Sequence, residues 1–119
     1  MSALARLISA IEAGDVAAAR ATYAPDARIW HNFDQREQTV DENLATLGWM
    51  VGALPERRYE DIVRHTTATG IVQQHVLRGT TATGRKLDMP ACIIATIVDD
   101  RITRIEEYLD TAQAAVLRG

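Results

Sequence analysis

From residue 57 onward the chain reads as four long strands joined by turns too short for any crossover. Arg57 to Ala68, Ile71 to Thr81, Arg85 to Val98 and Arg101 to Asp110 carry the β pattern. Thr69-Gly70, Thr83-Gly84 and Asp99-Asp100 supply turn chemistry between them. Turns this short join antiparallel neighbours, so this half of the chain predicts a four-stranded meander. Pro90, inside the third of these strands, predicts a bulge or a local edge, because proline cannot donate to a ladder.

The first half supplies what must cover the meander. Leu4, Leu7, Ile8 and Ile11 recur at helical spacing, and Gly14 stops that helix. Asp15 caps a second short helix running through Val16, Ala19 and Tyr23, which Pro25-Asp26 breaks. Ala27 to Asn32 reads as a strand and Phe33 to Gln38 as a polar loop. Thr39 and Glu42 have capping-box spacing before a third helix with Leu44, Leu47, Val51 and Leu54 on one stripe, ended by Pro55. Gly48 and Gly52 each cost that helix about 1 kcal/mol against alanine, and close approach to the sheet is the expected return. Thr111 to Leu117 forms a short closing helix or tail. A twisted sheet curling over the helices leaves a cavity at its open end.

Composition excludes several function classes. At 119 residues the chain is one domain, 1–119, with 47% apolar residues, enough for a real core. The net charge is −3 with both signs mixed and no basic block, so nucleic acid is not an expected partner. Apolar runs are too short and too interrupted for a spanning helix, so no membrane is expected. Met1 to Gly14 carries Arg6 and Glu12, which fits an amphipathic helix rather than a secretory signal. Cys92 is the only cysteine; it reads as an inert buried thiol and fits a cytoplasmic location. No glycine-rich phosphate loop points to an organic cofactor. His65 and His75 join His31 as the histidines, without HxH or HExxH spacing, so no metal is expected.

His31, in Ile29-Trp30-His31-Asn32-Phe33, is the leading site candidate. An imidazole titrates near neutrality, and a well-placed proton carrier is worth roughly 10²–10⁴-fold in rate. The alternative is a histidine hydrogen-bonded in the core or at the sheet edge. Alternation sets Trp30 opposite His31, which leaves Trp49 as the better ligand contact. Tyr23 can donate to His31 or to a ligand, or serve as a buried structural hydroxyl. Asn32 can orient a ligand carbonyl or end the strand. Among the late carboxylates, Glu107 shares a face with Leu109, and Glu106 shares one with Tyr108 and Asp110. Ile102 and Ile105 break strict alternation, so either Glu107 or the set with Tyr108 and Asp110 can face inward. A carboxylate inside needs a partner, and pairing with His31 would raise the histidine's pKa. Asp110 can act as acid or base, or cap the segment from residue 111. Arg57-Arg58 reads as a solvated strand start.

The element order, with Gly14-Asp15, Tyr23-Ala24-Pro25-Asp26-Ala27, Trp30-His31-Asn32, Leu77-Arg78-Gly79-Thr80, the Gly84 hairpin, and Asp100-Arg101-Ile102 leading to Glu107-Tyr108-Leu109-Asp110, resembles the nuclear transport factor 2-like superfamily. That group includes ketosteroid isomerases, SnoaL-like polyketide cyclases and limonene epoxide hydrolase. The resemblance implies an α+β fold: a cone-shaped, curved, mixed or antiparallel sheet wrapped around N-terminal helices, a cystatin-like α+β barrel. It also implies a homodimer through the outer sheet face. The isomerase base position falls on His31. The two isomerase oxyanion donors fall on Leu7 and near Ala91 or Cys92, which cannot serve. Asp110 matches the cyclase acid/base by position, whereas its histidine partner falls on Thr96.

Together these readings imply an enzyme that moves protons on a small, mostly apolar molecule, by isomerisation, aldol-type cyclisation or dehydration. His31 and Asp110 are its catalytic candidates, with Tyr23, Asn32, Trp49, Glu107 and Tyr108 around the substrate. The alternative is a noncatalytic ligand-binding or dimerisation module of the same fold.

Overall fold

A computed structural model describes residues 1–119. Helix α1 spans Ala3–Ala13, opened by the Ser2 hydroxyl accepting from the Ala5 amide and closed by Gly14 at φ +71°. Its buried stripe is the expected one, Leu4, Leu7, Ile8 and Ile11. Helix α2 spans only Val16–Arg20, with Asp15 as its cap. It does not run on to Tyr23. Thr22 turns back and bonds the Ala19 carbonyl through both its amide and its hydroxyl. That carbonyl is the one a continuing helix would offer to Tyr23.

Tyr23 instead opens strand β1, Tyr23–His31. The ladder of β1 is broken between Tyr23 and Arg28, around Pro25. Part of the expected loop forms a two-residue strand β2, Glu37–Gln38, paired with Ile29 and Trp30. Helix α3 spans Val40–Ala53 and carries the full Thr39/Glu42 capping box. Gly48 and Gly52 do not approach the sheet; a Cβ at either would meet open space.

The meander follows as β3 (Glu56–Thr66), β4 (Gly70–Thr80), β5 (Lys86–Val98) and β6 (Arg101–Leu109). The chain closes with α4, Thr111–Ala114, and a 3₁₀ turn over Ala115–Arg118. The architecture is α+β, with one unclosed sheet in the order β2-β1-β6-β5-β4-β3. Every pairing is antiparallel except β1 with β6. At Gly70 and Gly79 the carbonyls of Ala95 and Glu56 occupy the space a Cβ would need, so only glycine fits.

Pro90 sits in an interior strand, yet at a place where its neighbour ends. Its carbonyl accepts from the Asp110 amide, while the Asp110 carbonyl turns away to the Ala114 amide of α4. The N–H that proline lacks therefore has no acceptor to miss.

Two bulges decide which side chains face inward. On β6, Ile97 pairs with Ile102 but Thr96 pairs with Arg104, leaving Thr103 as the extra residue. Ile102 and Ile105 are thus both buried. From Ile105 onward, Glu107 and Leu109 continue the inner face while Glu106 and Tyr108 point out. On β3, Asp61 and Ile62 together oppose His75, with Asp61 at φ +55°. Tyr59 and Arg64 consequently share the inner side, five residues apart.

Leu4, Leu7, Ile8 and Ile11 pack on Ile29, Ile93, Ile102 and Ile105 in the main core. A smaller cluster of Leu54, Leu77, Leu87 and Met89 lies beneath the C-terminal segment. Each such side chain stabilises by about 1.5–3 kcal/mol when fully buried. Arg57 is not a solvated strand start. Its guanidinium bonds the Ile11 carbonyl at 2.7 Å and the Leu54 carbonyl at 3.1 Å, tying the ends of α1 and α3 together. Cys92 is half-buried on the outer sheet face rather than sealed in the core. No helix is long and apolar enough to cross a membrane.

Candidate functional site

Between the sheet, α1 and α3 lies a cavity of about 410 Å³, lined mostly by apolar side chains. Leu7, Ile8 and Ile11 form its α1 wall, and Leu47, Trp49 and Met50 its α3 wall. Polar side chains are the minority of its lining.

His31 ends β1 facing this cavity, paired across the parallel ladder with Glu107 of β6. Its Nε2 lies 3.1 Å from Glu107 Oε1, with side chains 12% and 18% exposed. Burial alone would lower the histidine's pKa. The hydrogen bond and charge of Glu107, helped by the charge of Asp34, outweigh it, and the net shift is upward. The Phe33 ring covers His31 at 5.3 Å between centroids. The bulge at Thr103 decides the choice of carboxylate, since it sets Glu107 rather than Glu106 on the inner face.

Tyr23 also lines the cavity, but its hydroxyl donates to Asn43 Oδ1 at 2.9 Å rather than to His31. Asn43 passes the chain to Gln38, and Gln38 to Thr46. Burial, and then the Glu107 charge, hold the Tyr23 hydroxyl well above the ordinary phenol range. Trp49 stands at the cavity mouth, 51% exposed. The Arg118 guanidinium lies 5.7 Å over the Phe33 ring at the same mouth.

Three sequence candidates fall outside the cavity. Asp110 caps α4, its carboxylate accepting from the Ala112 and Gln113 amides. It sits beyond the last inward residue, Leu109, so it does not meet His31. Tyr108 is 46% exposed on the outer face, where its ring packs 5.2 Å from that of Trp30. Alternation after Ile105 forces this position. Asn32 closes the sheet end: its amide bonds both the amide and the carbonyl of Leu109. Those bonds occupy the group that was to orient a ligand.

Two cavity residues escaped the sequence reading. His75 of β4 is 4% exposed and lines the cavity. Burial, with Arg64, holds its pKa below the ordinary value despite the opposing charge of Glu107. Tyr59 of β3 packs edge-on against it, centroids 4.9 Å apart. Burial foremost and then Glu107 push its hydroxyl far up. The available signal was the polar pair Gln73 and His75 interrupting the inner-face series Ile71, Gln73, His75, Leu77. His65 is exposed, and no three histidine, cysteine or carboxylate side chains converge as a metal site.

The family model for the SnoaL-like domain matches residues 4–105. The chain belongs to the SnoaL-like family. Its architecture is that of the nuclear transport factor 2-like superfamily. Three solved structures illustrate the likeness. A candidate polyketide cyclase from Pseudomonas putida superposes with a TM-score of 0.83 at 21% identity, covering 98% of both chains. An NTF2-like protein of unknown function from Burkholderia pseudomallei gives 0.82 at 20% identity, over 97% of this chain and 93% of that one. A candidate isomerase from Bacillus subtilis gives 0.86 at 10% identity, over 98% and 90%. At these identities the likeness establishes the fold. Among curated proteins, none matches this SnoaL-like chain.

Proposed function

We propose that this SnoaL-like protein is a proton-transfer enzyme acting on a small, mostly apolar molecule, of isomerase, cyclase or dehydratase type. One observation carries the reading: an imidazole paired with a carboxylate at 3.1 Å inside a mostly apolar cavity. The neutral ring of His31 turns one N–H to Glu107 and keeps a lone pair on its other nitrogen. It takes a proton from the substrate, and the Glu107 carboxylate stabilises the imidazolium that forms. The raised pKa suits a ring that must hold a proton briefly near neutrality. Apolar walls keep water from competing for the reactive carbanion or enolate. Tyr23 and Trp49 shape the space the substrate occupies. Two proteins of this fold, the candidate polyketide cyclase and the candidate isomerase, are named for chemistry of this kind.

The test is a panel of cyclic ketones, enones and epoxides, assayed with the parent and with His31→Ala. Turnover falling at least a hundredfold in the variant supports the reading. Equal turnover removes His31 from the mechanism.

The outer face supports a homodimer. Trp30, Tyr108, Ile94 and Cys92 make adjoining apolar positions on neighbouring strands, with Ile94 and Tyr108 well exposed. Sedimentation of the parent as a dimer, and of Ile94→Arg as a monomer, would support that assembly. The lone thiol of Cys92 fits a reducing, cytoplasmic setting.

A further inference from the structure

His75 is the titratable group of the cavity wall that the His31–Glu107 pair leaves unused. Its Nδ1 lies 2.8 Å from Nε2 of Gln73, two residues earlier on the same face of β4. Gln73 is fully buried, and its Oε1 accepts a 2.7 Å bond from Arg64 Nε. A guanidinium has donors only, so it fixes which end of the amide faces it. The amide nitrogen must then face the histidine, and it too can only donate. Nδ1 is therefore the acceptor, and the single proton of the neutral ring sits on Nε2. Protonating Nδ1 would oppose two N–H groups, so the same contact keeps the ring neutral. Every fully buried polar side-chain atom in the molecule has a partner. His75 Nε2 has none within the protein, so it opens onto the cavity that His75 lines. The edge-on ring of Tyr59 holds the imidazole plane.

We propose that His75 is a fixed, neutral hydrogen-bond donor whose Nε2–H grips the oxygen of a carbonyl-bearing substrate, with Arg64 and Gln73 as positioning residues. The proposal rests on the proton-transfer reading of His31 and narrows its substrate class to carbonyl compounds with an adjacent acidic C–H. The two histidines then divide the work. The C–H bond breaks, its proton passes to His31, and its electron pair moves onto the carbonyl oxygen as an enolate. That oxygen stays hydrogen-bonded to His75, a bond that strengthens as charge develops. The proton returns to carbon from His31, and no oxidant or reductant is needed. His75 donates without surrendering its own proton, the behaviour of a neutral imidazole electrophile. The sheet thus supplies an oxyanion donor on β4, although Leu7 and Ala91 cannot act as one.

Two measurements test this. The first is the ¹⁵N signature of the His75 ring in the unaltered protein, which needs no variant to fold. A bare Nδ1 and protonated Nε2 are expected. Gln73→Leu should mix the tautomers, and Gln73→Glu should move the proton to Nδ1. The second compares 2-acetylnaphthalene with 2-isopropenylnaphthalene, alike in shape but only one carrying a carbonyl. The parent should bind the ketone about tenfold more tightly. His75→Phe should abolish that preference, and His31→Ala should retain it. An Nδ1–H tautomer in the parent overturns the proposal. So does the absence of any ketone preference, including the absence of binding, or a preference that survives His75→Phe. A ketone preference that follows His75, with turnover indifferent to His31→Ala, would instead fault the proton-transfer reading alone.

Discussion

Removing either member of the His31–Glu107 pair should have unequal consequences, because one variant leaves an imidazole without its partner and the other leaves a carboxylate. The folded pKa of His31 is raised. Its contribution to stability is therefore fully present below the unfolded value of about 6.5, and is lost as pH rises through the raised folded value. Glu107→Gln removes that contribution. At pH 6 the variant should lose about 1.5–3 kcal/mol, typical of a hydrogen bond to a charged group. It also lowers the already depressed pKa of His75, which adds to the loss at low pH. As pH rises through the raised folded value the parent ring becomes neutral too, so the loss should be smaller at pH 8.5 than at pH 6. His31→Phe is different. It strands a carboxylate that is only 18% exposed in an apolar cavity. Breaking a buried pair in this way costs about 3–5 kcal/mol; the partial exposure of Glu107 places this case near 3. At pH 8.5, where the Glu107→Gln loss is the smaller, the His31→Phe loss should exceed it. The double variant, with no charge left to strand, should be more stable at pH 8.5 than His31→Phe alone. Urea unfolding followed by circular dichroism at pH 6 and 8.5 would read all four proteins. A Glu107→Gln loss at pH 8.5 that equals or exceeds the His31→Phe loss would refute the reasoning. So would a double variant whose loss is simply the sum of the two.

Three further outcomes follow from particular contacts. Arg57→Ala orphans the Leu54 carbonyl and leaves the Ile11 carbonyl only its bond from the Gly14 amide, so it should lower stability by about 1–3 kcal/mol; Arg57→Lys should recover less than half, since one ammonium cannot reach both, and urea midpoints would show this. Asp110→Asn should keep the α4 cap and change stability by less than about 0.5 kcal/mol, Asp110→Ala should cost about 1 kcal/mol, and neither should alter the pH profile of turnover. Trp49→Phe should remove the fluorescence change on ketone binding, while Trp30→Phe should retain it, because only Trp49 lines the cavity.

Local patterns carried most of the fold. The Thr39/Glu42 box, the Gly14 stop and the three short turns each fix a boundary within a few residues, so helices and strands were legible. His31 was legible because a lone imidazole among large rings is conspicuous. Its partner was not. Choosing between Glu107 and Asp110 depends on the bulge at Thr103: the broken alternation of Ile102 and Ile105 hints at it, but only the pairing with β5 shows which residue is the extra one. Tyr108 and Asp110 were lost to the same ambiguity. Asn32 and Tyr23 were seen as polar groups near the site, but a sequence does not show that Leu109 and Asn43 already engage them. His75 was hidden because its meaning lies in Gln73 and Arg64, and Arg64 comes from a different strand.

The bulge at Asp61–Ile62 does more than kink an edge. It works as a register lock for the far half of β3, which only the β4 ladder holds. Asp61 tolerates the positive φ this requires better than most residues. Were the bulge ironed out by a one-residue slip, Val63 and His65 would turn inward and Arg64 would swing to the outside. The wall would trade its polar relay for an aliphatic side chain and an untethered imidazole. One backbone irregularity on the edge strand, across the ladder from His75, thus selects between two linings written into the same residues.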